Sequence, residues 1–272
     1  DSFKGGNFDL NYPMAQGMLP LMGTSTIVAN SDKDHGSAWF GGVSADLSYF
    51  DPFRFALDAA YGSVDLGTSK LNGKNFDVKR SGWYAALLAE YKLESCTPGL
   101  LFWYSSGDDA NAYNGSERLP SLRANGMFSS VMGDDVHYGG SLQDQKMTYA
   151  GTWGLGLQVA DVSFMEDLKH TFRVLYWGGT NSPSMVKYAT TRTDWNYTND
   201  YEGIYLTTND GLLEFNINSV YQVYDNFSIG LWLGYIANLM DSGTWQDGHA
   251  YLGDSYSKQD IWNVDLTFAY TF

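Results

Sequence analysis

Residues 262–272 read Trp262-Asn263-Val264-Asp265-Leu266-Thr267-Phe268-Ala269-Tyr270-Thr271-Phe272. Every second side chain is apolar or aromatic, and those between are polar or small. Successive side chains of an extended strand point to opposite faces, so this zigzag predicts a β-strand with one greasy and one hydrophilic side. A strand of about ten residues is also what a tilted crossing of a bilayer requires.

The same pattern recurs along the chain. Trp39, Gly41, Val43, Ala45, Leu47 and Tyr49 alternate with Phe40, Gly42, Ser44, Asp46 and Ser48. After Asp51-Pro52, a turn signal, Phe53, Phe55, Leu57, Ala59 and Tyr61 alternate with Arg54, Ala56, Asp58 and Ala60. Trp83 to Leu93 repeats the design, with Glu90 and Lys92 on its polar side. Leu100 to Tyr104 is apolar on both sides and does not orient itself. Further zigzags run through Trp153–Val159, Phe172–Tyr176, Leu213–Gln222 and Phe227–Tyr235. These nine segments, with a weak tenth over Phe3 to Tyr12, predict about ten antiparallel strands.

The connections alternate in length. Short turns fall near Asp51-Pro52, Glu94 to Pro98, Asp161 to Leu168 and Asp225-Asn226, and long connections at 13–37, 65–79, 107–145, 179–211 and 239–258. Short turns at one end and long loops at the other describe an up-and-down outer-membrane barrel. Long structureless loops are unusual in a compact soluble domain. The expectation is an all-β, transmembrane antiparallel barrel forming one domain over 1–272. Twelve strands, or part of a larger barrel, are the alternatives, and a soluble β-sandwich with a core of aromatics competes with all of them.

Composition agrees with the barrel. Charged residues are 17% of the 272, against about 25% in soluble domains. Aromatics reach 16%, with 30 Gly and only 6 Pro. The longest apolar run, Trp83 to Ala89, is far short of the roughly 18 residues of a membrane helix. A closed barrel is the other structure that satisfies every backbone group in lipid. With Cys96 as the one cysteine, no internal disulfide can form. The net charge of −15 argues against nucleic acid, whose phosphates call for Lys and Arg clusters. Trp39 and Tyr49, Trp83 and Tyr91, and Trp262 and Tyr270 bracket their strands as an interfacial aromatic belt would.

The last strand resembles the C-terminal strand of bacterial outer-membrane proteins. Phe272 is terminal, and Tyr270, Phe268, Leu266 and Val264 precede it on one face. The resemblance implies a porin-like architecture in the cell outer membrane and a strand read by the barrel-assembly machinery, with Phe268, Tyr270 and Phe272 as the signal. It also implies lipid and lipopolysaccharide as surroundings, and a homo-oligomer such as a trimer as one possible assembly. Trimeric porins have about sixteen strands, so this chain is a smaller barrel or part of a larger one.

If the greasy faces meet lipid, the others line the interior with Asp46, Arg54, Asp58, Glu90, Lys92, Arg173, Glu214 and Asp265. Such charges are costly in a dry core and cheap in a wet pore, where they bias ion passage. Five acids against three bases predict a passive, mildly cation-favouring channel for small polar solutes. The alternative is a structural, adhesive or receptor barrel whose charges pair into a rigid ladder in a plugged lumen, because small barrels fill with side chains. The long loop from Gly107 to Gln145 is the candidate constriction, through Asp108, Asp109, Arg118, Arg123, Asp134 and Asp135, with Glu117 beside them. An outward loop is the other reading. Its acids could hold Ca²⁺, although no EF-hand spacing occurs, and otherwise no cofactor or metal is expected.

Two enzyme readings are weaker. Omptin-type surface proteases use an Asp-x-His pair, a spacing shared by Asp135-Val136-His137 and Asp247-Gly248-His249, in which the acid would orient the His as a base. An outer-membrane phospholipase would present His and Ser on lipid-facing strands, and His170 stands at a strand start with no evident serine. The chain is therefore expected not to be an enzyme.

Overall fold

The computed structural model describes residues 2–3, 32, 35–71, 73–120, 128–129, 149–186, 205–246 and 259–272. They form one antiparallel sheet in which each strand pairs with its sequence neighbour. Strand β1 contributes only Ser2–Phe3. The nine full strands are β2 (Gly36–Leu47), β3 (Phe53–Leu71), β4 (Lys74–Tyr91), β5 (Thr97–Ser105), β6 (Thr152–Met165), β7 (Leu168–Gly179), β8 (Gly211–Tyr224), β9 (Phe227–Asn238) and β10 (Ile261–Tyr270). Each of the nine zigzag segments falls on one of them, although three overrun it, to Tyr49, Leu93 and Phe272. Of the proposed tenth, Phe3 to Tyr12, only Phe3 falls within the described residues. Among the described residues no pairing joins β10 back to β1. The described helical residues are 183–186 and the five of Ser242–Gln246.

Toward the short turns and along β10, the sheet is sided in the opposite sense to a soluble one. In β10, Trp262 and Val264 are 75% and 70% exposed, whereas Asn263 and Thr267 are only 7% and 6% exposed. The apolar series of β3 to β8 include many open side chains, among them Phe53, Leu57, Trp83, Leu157, Val174 and Phe215, whereas that of β9 is half-buried. The undecided β5 is oriented here. Leu101 and Trp103 are covered, while Leu100, Phe102 and Tyr104 are exposed.

Aromatic rings cross the exposed face as a belt near the long-loop end. Trp39 stacks on Tyr61 at 4.9 Å, Trp83 on Tyr104 at 5.0 Å, Trp153 meets Tyr176 at 5.5 Å, and Tyr235 meets Trp262 at 4.6 Å. A second group, including Phe53 with Tyr91 and Phe227 with Phe268, lies toward the short turns.

One expected long connection proves to be strand. Residues 65–79 are mostly the far end of a hairpin, in which β3 and β4 continue to a tight turn through Gly73 at φ +78°. A bulge between Asp65 and Thr68 is made possible by Gly67 at φ +91°, a conformation costly for other residues. The pattern missed this extension because its sidedness reverses. Below the paired glycines Gly62 and Gly82, the apolar residues Tyr61, Leu57, Trp83 and Leu87 take the open face. Above them, Val64, Leu66, Phe76 and Val78 take the covered face and are buried.

The other long connections, 106–151, 180–210 and 239–260, leave this same end, whereas short turns 48–52, 92–96, 166–167 and 225–226 close the opposite one.

Candidate functional site

The covered face has two zones. Nearer the short turns it is hydrophilic. Arg54 on β3 donates to Asp46 on β2, with Nη2 at 2.6 Å, and to Glu90 on β4, with Nη1 at 2.7 Å. Glu90 accepts in turn from Gln158 Nε2 at 2.7 Å, and Arg173 Nε donates to Gln158 Oε1 at 3.2 Å. The link from β4 to β6 passes over Gly99 on β5. A Cβ there would lie 3.1 Å from the Cγ atoms of both Glu90 and Gln158, tighter than ordinary packing allows. The result is a hydrogen-bonded chain across six adjacent strands, β2 to β7.

The residues expected to line an interior therefore fall on one phase. Asp46, Arg54, Asp58, Glu90, Arg173, Glu214 and Asp265 share the polar face of their strands. Lys92 lies one residue beyond β4, exposed in a short turn. Asp58 and Asp265 are half-buried.

Nearer the long loops the same face is packed. Trp103, Trp177, Tyr149 and Phe128 form an aromatic cluster with Leu101, Leu175, Leu212 and Ile236. The Trp103 and Trp177 rings meet edge-on at 4.5 Å, and Tyr149 stacks on Trp177 at 5.1 Å. Glu214 is fully buried among these apolar residues, where a bare carboxylate would be costly. It accepts from Trp177 Nε1 at 2.8 Å and from Ser129 Oγ at 2.7 Å.

The segment 106–120 folds back over this end. It runs beside β4 where β5 has stopped, with Asp77 N–H bonded to the Tyr113 carbonyl at 2.8 Å and Ser81 N–H to that of Ser116 at 2.9 Å. Gly62 and Gly82 admit it, because a Cβ on Gly62 would meet Pro120 at 2.9 Å and one on Gly82 would overlap Glu117. Asp108 is the buried anchor. Its carboxylate accepts from the Ser116 hydroxyl and from Tyr205 Oη at 2.9 Å. Its N–H donates to Asn181 Oδ1 at 3.0 Å, and Asn181 Nδ2 reaches the Gly151 and Leu206 carbonyls. Arg118 Nη2 donates to the Ala150 carbonyl at 3.0 Å and its guanidinium lies 5.0 Å from the Tyr205 ring centre. Arg80 holds the Arg118 and Leu119 carbonyls. Burial raises the Asp108 carboxyl above its ordinary value against the opposing pull of Arg118, Ser116, Arg80 and Tyr205. Burial likewise raises Glu117.

Among the constriction candidates, Asp108 and Arg118 are thus drawn onto the covered face together. Asp109 is exposed and bonds locally to Asn111 and Asn114. Arg123, Asp134 and Asp135 lie outside the described residues, as do His137, Asp247 and His249 of the two Asp-x-His tripeptides. Sequence reasoning missed Asn181, Arg80 and the indole partner of Glu214, since each acts across segments far apart in the chain.

On the open face, the serine not foreseen for His170 is Ser219, directly opposite on β8, with its Oγ 2.8 Å from His170 Nδ1. The pair sits beside Phe164 and Phe172, and it constitutes a cross-strand hydrogen bond. Among the described residues no cluster of three or more His, Cys, Asp or Glu could hold a metal ion. No helix among them is long and apolar enough to cross a membrane, which says nothing of strands. The chain matches no protein-family model, and no curated protein matches its sequence.

Proposed function

We propose that this chain is a porin-like outer-membrane β-barrel that lets small polar solutes diffuse passively. The observation that carries the reading is the reversed sidedness of the sheet, with open apolar rows bounded by two aromatic groups. A face this large and this apolar would drive aggregation in water, and hydrocarbon is the environment it suits. Trp83 and Tyr91, like Trp262 and Tyr270, stand eight residues apart; at about 3.3 Å per residue and a tilt near 40°, that spans roughly 20 Å. This is close to the apolar band of an outer-membrane barrel. On this reading the sheet closes on itself, the 106–120 segment narrows the interior, and the chain of hydrogen bonds from Asp46 to Arg173 lines it.

Passage rests on the hydrophilic zone, whose half-buried charged groups suit a wet wall. Arg54 pairs with both Asp46 and Glu90 but offsets only one of their two negative charges, so this trio stays net negative and adds to the cation preference. The test is refolding into detergent and planar bilayers. Heat-modifiable gel migration and discrete conductance steps are expected. A chain that is folded and monodisperse in plain buffer, without any amphiphile, overturns the barrel.

A second reading, a barrel sealed by its own loop and serving as a surface or receptor protein, is favoured by the Trp103–Trp177–Tyr149 packing. It predicts normal insertion with no conductance steps.

A further inference from the structure

The hydrogen-bonded chain on the covered face stops at Arg173, and the polar groups next to its end are unsatisfied. Arg173 Nη1 is buried and without a hydrogen-bond partner. Asn216 on β8 is directly opposite Arg173 in the strand register. Its side chain is buried, with the residue only 2% exposed, and neither Nδ2 nor Oδ1 has a partner. Opposed residues on one face of an antiparallel pair have Cβ atoms about 5 Å apart. A guanidinium donor and an amide acceptor at that separation could bond directly, yet they do not. Among the described residues no carboxylate lies within ion-pair distance of Arg173 either. Buried polar atoms are nearly always paired, because each orphan costs the full desolvation of its group. Three orphaned atoms on two facing residues mark a place built for something else.

We infer that Arg173 and Asn216 form a docking point for the carboxylate of a small organic acid on the interior wall. Arg173 Nη1 and Asn216 Nδ2 are both donors, and a carboxylate offers two acceptor oxygens in one plane. Gln158 holds the guanidinium in place by occupying Nε, so the rest of its fork is preset. Glu90 is kept from competing by its bonds to Arg54 and Gln158. The inference rests on the porin-like reading for its physiological meaning, since the solute would meet this pair on its way through. A mainly acidic interior thereby carries one cationic station.

Succinate binding to the refolded full chain in detergent micelles tests it, by calorimetry at constant ionic strength with chloride as the control. Saturable binding is expected. Arg173→Gln is expected to weaken it about tenfold or more, the loss of one charge-assisted hydrogen bond. Asn216→Asp supplies a built-in carboxylate to Arg173. It is expected to abolish succinate binding while raising resistance to unfolding, so misfolding cannot be the cause. Absence of binding by the folded wild type, or equal binding by wild type and Arg173→Gln, overturns the inference and leaves a trapped water as the occupant. Binding does not depend on conduction. Succinate binding without conductance steps sinks the channel and spares the docking point, and steps without succinate binding do the reverse.

Discussion

Gly154 lies directly beneath the indole of Trp103, and a Cβ at that position would overlap the ring. The two residues face each other across β5 and β6. The close approach is what lets Trp103 lie flat enough to meet Trp177, Tyr149 and Phe128 at once. Gly154→Ala is therefore expected to cost about 1–3 kcal/mol through overpacking, read as a lowered urea midpoint in detergent. On the channel reading it also displaces the aromatic cluster and changes the size of the conductance step. An unchanged midpoint would mean the cluster yields freely.

Arg54 serves two carboxylates in different surroundings. Asp46 is about half exposed, whereas Glu90 is mostly buried. Solvent screens the first pair more than the second. Double-mutant cycles are expected to give a coupling on the order of 1 kcal/mol for Arg54 with Glu90 and a distinctly smaller one for Arg54 with Asp46. Coupling energies in the reverse order would contradict the burial argument.

The Asp108 carboxyl is raised by burial, outweighing Arg118, Ser116, Arg80 and Tyr205. A carboxyl whose folded value exceeds its unfolded value holds its proton more tightly when folded. Its contribution is fully present below the unfolded value and is lost as pH rises through the folded one. Asp108→Asn removes this titration. The stability of the wild type relative to Asp108→Asn is expected to fall as pH rises above the ordinary carboxylate range. Urea midpoints of both proteins across that range provide the check; parallel curves would exclude Asp108 as the titrating group.

Leu157 is 63% exposed midway along β6. For a protein in water, Leu157→Arg would be nearly silent, within about 0.5 kcal/mol. For a strand at the bilayer midplane it should cost about 2–4 kcal/mol. Refolding equilibria in lipid vesicles distinguish the two, and a silent substitution there would remove the lipid from this face.

Phe272 is fully exposed, and the porin-like reading proposes a role for it in assembly rather than in stability. Phe272→Ser should lower insertion in cells or in vesicles carrying the assembly machinery, and leave spontaneous refolding in detergent unchanged. Equal losses in both assays would make Phe272 a packing residue.

The strands were legible because their zigzag is local, needing only neighbouring residues and a period of two. Even the double-sided Leu100–Tyr104 announced a strand, though its orientation depended on Gly154 and Leu175 across the sheet. The hairpin beyond Gly62 was illegible for a different reason. Val64, Leu66, Phe76 and Val78 do alternate, but with the opposite side greasy, so a search for one continuous face loses them. Of the candidate site, the polar phase from Asp46 to Asp265 came from parity alone. What parity cannot supply is partnership. That Arg54 bridges two acids, that Gly99 clears a path for Gln158, and that Asn181 ties Asp108 to Gly151 and Leu206 all depend on residues brought together from distant parts of the chain.

The glycine pair at 62 and 82 has one more consequence in a bilayer. Sliding the hairpin outward would drag Tyr61 and Trp83 into water, while sliding it inward would sink Lys79 and Asp77 into oil. On the barrel reading, either slip is opposed within a step or two of the backbone, and the molecule would carry its own plimsoll line, floating at a height written into its residues.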